Sequence, residues 1–101
     1  MKATLHIYKS TLDDLQNALD WYATQSQGLE ARFHKAVDER LNFIANNPLA
    51  APFRMEGFRG TPIKKFPYMV YYDFDSKKNI VSIVAVLHTR RDNRLLKNRK
   101  Q

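Results

Sequence analysis

His88 can exchange a proton near neutral pH, and Arg90 and Arg91 follow it within three residues. Glu56 is a candidate base, and Arg59, Lys64 and Lys65 are candidate partners for a phosphate. Cutting RNA by attack of a ribose 2′-oxygen needs a base, an acid and cations at the phosphate that gains charge. The chain offers a residue for each part. Each also has a plainer explanation. A lone histidine at the end of a buried strand is more often a hydrogen-bonded structural residue. Glu56 lies between Arg54 and Arg59, where a local salt bridge accounts for it. Lys64 and Lys65 are adjacent, so on a strand their side chains leave opposite faces and one alone can serve a given site. In a regular strand Arg59 and Lys65 would share a face, although Gly60 and Pro62 interrupt the run. His6, His34 and His88 are scattered without ligand spacing, so no metal site is expected, and no cofactor.

The elements that must position these residues follow from hydrophobic period. Lys2 to Tyr8 alternates, with Leu5 and Ile7 on one side, and reads as a half-buried strand. Ser10 or Thr11 is placed to cap a helix, with Asp13 and Asp14 in its first turn. Leu12, Leu15, Leu19 and Tyr22 carry that helix to about Ser26, and Gly28 breaks it. Leu29, Phe33, Val37, Leu41 and Ile44 form a second helical stripe ending at Asn46-Asn47-Pro48. The short link predicts an antiparallel helix pair.

Residues 48–57, with Pro48, Pro52 and Gly57, read as a connecting loop. Phe58 to Phe66 and Tyr68 to Phe74 read as strands, the second more strongly for its aromatic and β-branched residues. Tyr68, Tyr71 and Tyr72 could stack on bases, but packing is the commoner role of aromatic residues on a strand. Asp75 to Asn79 makes a turn into Ile80 to Leu87, the most apolar strand and the candidate for the sheet's centre. The expected fold is α+β, in the order β-α-α-β-β-β. An antiparallel meander and an N-terminal strand carry a helical hairpin on one face, and the other face stays partly open.

The 101 residues are expected to form a single domain, with 90–101 a basic C-terminal tail. No cysteine is present, which excludes disulfides, thiolate metal sites and thiol nucleophiles. The start of the chain has a lysine and a histidine where a signal peptide needs apolar residues, and Ile80 to Leu87 is too short to span a bilayer. No membrane association is expected, and a cytoplasmic location is. Charge is uneven. Residues 1–53 hold five basic and six acidic residues, and residues 54–101 hold twelve basic and four acidic, within a total of +7. That half suits a polyanionic partner, either nucleic acid or an acidic protein segment.

Four stretches, in order, resemble the RelE/ParE toxin superfamily. They are Asp14-Leu15 and Trp21-Tyr22 followed by Ala31-Arg32-Phe33; Ile44-x-x-x-Pro48; Lys65-Phe66-Pro67-Tyr68-Met69-Val70-Tyr71-Tyr72; and Ile83-Val84-Ala85-Val86-Leu87-His88-Thr89-Arg90-Arg91-Asp92. The resemblance implies the toxin of a type II toxin–antitoxin pair, held inactive by a cognate antitoxin in a hetero-oligomer. One branch cuts messenger RNA on the ribosome, and the other inhibits DNA gyrase by binding. RNA-cutting relatives usually carry an arginine just after the position matching Tyr68, where this chain has Met69. Many also have a tyrosine or a His-Tyr pair near the C-terminus, whereas Thr89 follows His88 here and no tyrosine comes after Tyr72. The Val86-Leu87-His88-x-x-Arg91-Asp92 stretch is similar to the ParE-like branch, which implies gyrase inhibition. Target binding is then expected at His88, Arg90, Arg91, Arg59 and Lys65. The alternative is a ribosome-dependent endoribonuclease using His88, Arg59 and Lys65, and a weaker one is an inactive binding protein with the toxin fold.

Overall fold

Helix α1, Lys9–Gln25, begins without a side-chain cap: Tyr8 holds the N-cap position in extended conformation. Ser10 and Thr11 therefore lie inside the helix, and Asp13 and Asp14 lie beyond its first turn. The reason is packing. Thr11 is fully buried and its hydroxyl bonds the sheet, so it cannot also close the helix end. Leu12, expected in the core, is 51% exposed. Thr11, Ala18 and Tyr22 are the buried residues of the helix, and Leu15 and Leu19 pack half-buried against the core beside them.

Gly28 (φ +83°) turns the chain into α2, Leu29–Asn46. Its expected stripe is the one that packs: Phe33, Val37, Leu41 and Ile44 are all buried. Removing a side chain such as Phe33 from water is worth about 1.5–3 kcal/mol, far more than any single helix propensity.

The computed structural model describes residues 2–90. Its sheet has five strands: β1 (Thr4–Ile7), β2 (Phe53–Met55), β3 (Phe58–Pro62), β4 (Tyr68–Asp75) and β5 (Ile80–His88). The order across the sheet is β1-β5-β4-β3-β2. The expected meander of the last three strands is present, and β1 joins it by pairing parallel to β5. The segment read as a loop contains the extra strand β2, paired antiparallel to β3 across a tight turn at Glu56 (φ +52°) and Gly57 (φ +78°). Three residues are too few for period to reveal. Strand β3 ends at Pro62 rather than Phe66, and β4, not β5, takes the middle place.

A bulge at Val84 governs which way the end of β5 faces. Tyr71 pairs with Ala85 and Tyr72 with Ile83, leaving Val84 as the extra residue. Val81 and Ile83 face the helices before it, and Val86 does so after it. The two-residue period alone would have turned Val86 and His88 to the far side. That far side is not open either. Phe58, Tyr71, Val84, Ala85 and Leu87 are buried there as a second apolar cluster, with Tyr8 and Met69 against it. The aliphatic stem of Arg54 reaches across Gly60 beside Tyr71, and its Nε donates to the Gly60 carbonyl.

Candidate functional site

Strand β1 covers β5 only from Ile80 to Ile83, and α1 takes over the same flank beyond it. The Ile83 carbonyl accepts the Thr11 hydroxyl at 2.7 Å and the Tyr8 N–H at 3.4 Å. The Val86 N–H then donates to Asp14 Oδ2 at 3.0 Å, so it points away from β4. His88 is two residues further, and strand alternation turns its backbone N–H and carbonyl the same way. There the helix no longer fills the flank. A cleft of about 500 Å³ opens, walled by Asp14, Asn17, Ala18 and Trp21 of α1 and by Tyr68, Val86, His88 and Arg90 of the sheet ends. Positions 14, 17, 18 and 21 share one helical face, and Ala18 is small enough to leave the floor low. Trp21 is 57% exposed.

The sheet wall is well braced. Tyr68 and His88 are register partners, with ring centroids 5.3 Å apart and planes at 75°. Tyr68 continues into an aromatic cluster with Tyr22, Phe33 and Phe66. Burial, and then the neighbouring Tyr68, push the Tyr22 hydroxyl pKa above its ordinary value. His88 Nδ1 accepts the Arg90 N–H at 3.1 Å. The Thr89 N–H donates to the Pro67 carbonyl, tying the end of β5 to the turn before β4.

The residues named from sequence are only partly gathered here. His88 and Arg90 share the cleft. Arg59 does not join them: it lies on β3, with β4 between, and its Nη1 donates to the Ala51 carbonyl at 2.7 Å and the Leu49 carbonyl at 3.3 Å. Its guanidinium also stacks over the Phe53 ring at 4.1 Å. Lys65 sits in the β3–β4 turn with φ +70°, so the regular-strand face it was expected to share with Arg59 does not exist. Lys64, also in that turn, borders a shallow pocket with Arg40 and Phe43. Glu56 is exposed at the β2–β3 turn, and Arg91 lies outside the described residues. Lys77 and Lys78 occupy the β4–β5 turn, at the opposite end of the sheet from Lys64 and Lys65, so these four lysines do not share one patch. Among the described residues no three histidine or acidic side chains stand together as a metal site, and no helix is long and apolar enough to cross a membrane.

Asn17, Ala18 and Trp21 were not singled out as site residues from sequence. Their spacing with Asp14 marks a face beside the apolar stripe, but nothing in it separates a cleft wall from a solvated surface. A second concavity, of about 300 Å³, runs between the helices. Leu12, Leu15, Leu19, Phe33, Val37 and Leu41 line it, with Gln16, His34 and Asp38 at its rim.

Comparison with known proteins places this geometry. The chromosomal ParDE system from P. aeruginosa superposes with a TM-score of 0.72 at 14% identity, covering 86% of this chain and 96% of that one. The RelBE2 toxin–antitoxin complex from Mycobacterium tuberculosis gives 0.60 at 20% identity, covering 87% and 92%. The isolated E. coli RelE toxin gives 0.61 at 13% identity, covering 95% and 94%. At these identities the likeness is one of fold. No curated protein sequence matches the chain. The family model described as the ParE toxin of the type II toxin–antitoxin system parDE matches residues 5–93. With nearly the whole chain inside that match, the protein belongs to the ParE family of type II toxins.

Proposed function

We propose that the protein acts in the cytoplasm by binding DNA gyrase and blocking it, and that a cognate antitoxin neutralises it in a hetero-oligomer. The observation that carries this reading is the commitment of Arg59. Its guanidinium holds the 49–51 loop by two carbonyls, on a strand that β4 separates from His88. A phosphodiester cleaved at His88 would lack that cation at the phosphate. The Nδ1 of His88 is also occupied by the Arg90 N–H, and Met69 packs against the far-face cluster where RNA-cutting relatives carry an arginine. A binding toxin needs none of these parts.

The inter-helix groove supports the antitoxin half of the proposal. An amphipathic partner helix could lay its apolar side along Leu12, Leu15 and Leu19, with basic residues meeting Asp38 at the rim. The deciding experiment sets purified toxin against gyrase supercoiling and, separately, against ribosome-bound messenger RNA. Loss of supercoiling that antitoxin restores, with messages left intact, is the expected result. Codon-dependent cleavage with supercoiling untouched would replace this reading with the endoribonuclease one.

A further inference from the structure

Strand β2 ends the sheet on the side away from β1, and its outer edge carries exposed apolar side chains. Phe53 is 65% exposed on the strand, and Leu49, in the loop just before it, is 66% exposed. An edge strand is ordinarily guarded by charged side chains standing beside it. Here both nearby arginines fold back onto their own chain. Arg54 Nε donates to the Gly60 carbonyl. Arg59 Nη1 holds the Leu49 and Ala51 carbonyls while its guanidinium covers one face of the Phe53 ring. Loop and ring are thus fixed before any contact is made, which lowers the ordering cost of a contact.

The backbone at this edge is its own complement. The Gly60 N–H donates to the Pro52 carbonyl at 3.1 Å, so the Phe53 N–H, opposite it on the same peptide plane, points out of the sheet. Phe53 and Arg59 are therefore a non-hydrogen-bonded pair, and the Phe53 carbonyl points outward as well. Residues presenting both groups to each other in antiparallel strands exchange two hydrogen bonds. We infer that β2 pairs with β2 of a second copy of this chain, Phe53 against Phe53 across a twofold axis. Every contact is then made twice. Pro52 has no N–H and Arg54 is the extra residue of a bulge, so the pairing ends on either side and closes as a dimer.

Charge fits the same arrangement. Across the axis, the turn after β2 in one copy runs along the loop before β2 in the other. Glu56 occupies that turn, exposed, and makes no ion pair among the described residues. The loop opposite is the one that Arg59 holds, and only one of the two Nη atoms of Arg59 is used there. Each Glu56 thus approaches Arg59 of the other copy, while Arg54 falls opposite Pro52 and no like charges stand face to face. A stable interface covers about 800 Å² per partner, more than this edge supplies, so the dimer is weak and reversible. The edge is independent of the target and the antitoxin groove proposed above, and a toxin that ignored gyrase would keep it.

Sedimentation of the full-length toxin over a concentration series reads the pairing. The average mass should climb from one chain toward two with a midpoint of roughly 0.1–1 mM. Phe53→Asp and Leu49→Asp should each weaken association at least about ten-fold with circular dichroism unchanged. Glu56→Lys should weaken it about three- to ten-fold. The chain has no cysteine, so Phe53→Cys, placed on the axis, should link to itself in air faster than Gln27→Cys in the exposed helix–helix loop. A single-chain mass throughout, any of the three charged variants associating like the parent, or equal linking at positions 27 and 53 would overturn the inference. A chain that stays single, and whose Phe53→Asp variant loses purified antitoxin, would assign this edge to the antitoxin instead.

Discussion

The Thr11 hydroxyl donates to the Ile83 carbonyl at 2.7 Å, joining two buried residues 72 positions apart. It fastens α1 to β5 where β1 stops. Thr11→Val keeps the shape and removes the donor, leaving Ile83 with only the longer Tyr8 contact. A loss of about 1–2 kcal/mol is expected, read as a lower urea midpoint with an unchanged slope.

Arg59 is a structural clamp on this geometry. Arg59→Lys keeps the charge but not the planar fork that reaches two carbonyls and stacks on Phe53. The melting temperature should fall by roughly 4–8 °C per kcal/mol lost in a domain of this size. If Arg59 instead contacted a target, the variant would melt like the parent and lose binding, which a parallel melt and pull-down would reveal.

Three buried tyrosines set an alkaline limit. Burial raises the pKa values of Tyr22, Tyr71 and Tyr72. Arg54 opposes the shift at Tyr71, and the Ala51 backbone and Arg59 oppose it at Tyr72. In the unfolded chain these phenols ionise near pH 10, below their folded values. The folded state therefore holds more protons above that pH, and its stability falls as pH rises through the folded pKa values. Urea midpoints should be flat from these groups below about pH 9 and fall above about pH 10, with phenolate absorbance growing alongside unfolding.

Gly60 has no room for a side chain. A Cβ there would stand 3.0 Å from Arg54 Cδ and 3.1 Å from Tyr71 Cε1. Arg54 can move aside, whereas Tyr71 is buried in the far-face cluster. Gly60→Ala should cost about 1 kcal/mol and Gly60→Val about 1–3, both measurable by chemical denaturation.

Leu12→Lys tests the antitoxin groove. The residue is half exposed, so stability should change by no more than about 0.5 kcal/mol. Calorimetric titration with purified antitoxin should show affinity reduced at least ten-fold, about 1.4 kcal/mol. Undiminished affinity would direct attention to another surface.

Period alone revealed the second helix almost completely, because Phe33, Val37, Leu41 and Ile44 obey one spacing and meet one neighbour. In the first helix it found Leu15, Leu19 and Tyr22, which meet the core, and misjudged Leu12, which is exposed. Leu12 and Thr11 differ by one position, and the choice between them depends on a carbonyl at Ile83 that no local pattern announces. The bulge at Val84 was equally hidden. Strand β5 is apolar on both sides, so a phase change within it leaves no trace in composition. His88 and Arg90, close in sequence, border the same cleft. Arg59 bonds the carbonyls of residues 49 and 51, an attachment that its charge and position in the sequence do not announce.

The brevity of β1 has a consequence for how copies of this chain treat one another. An interior strand of mostly Val, Ile, Ala and Leu, with half its flank bare, would template further strands and seed aggregates. Thr11 and Asp14 answer two of its exposed backbone groups with side chains, so the helix blocks the template without extending the sheet. Solubility at high concentration is thereby tied to the docking of a single helix turn.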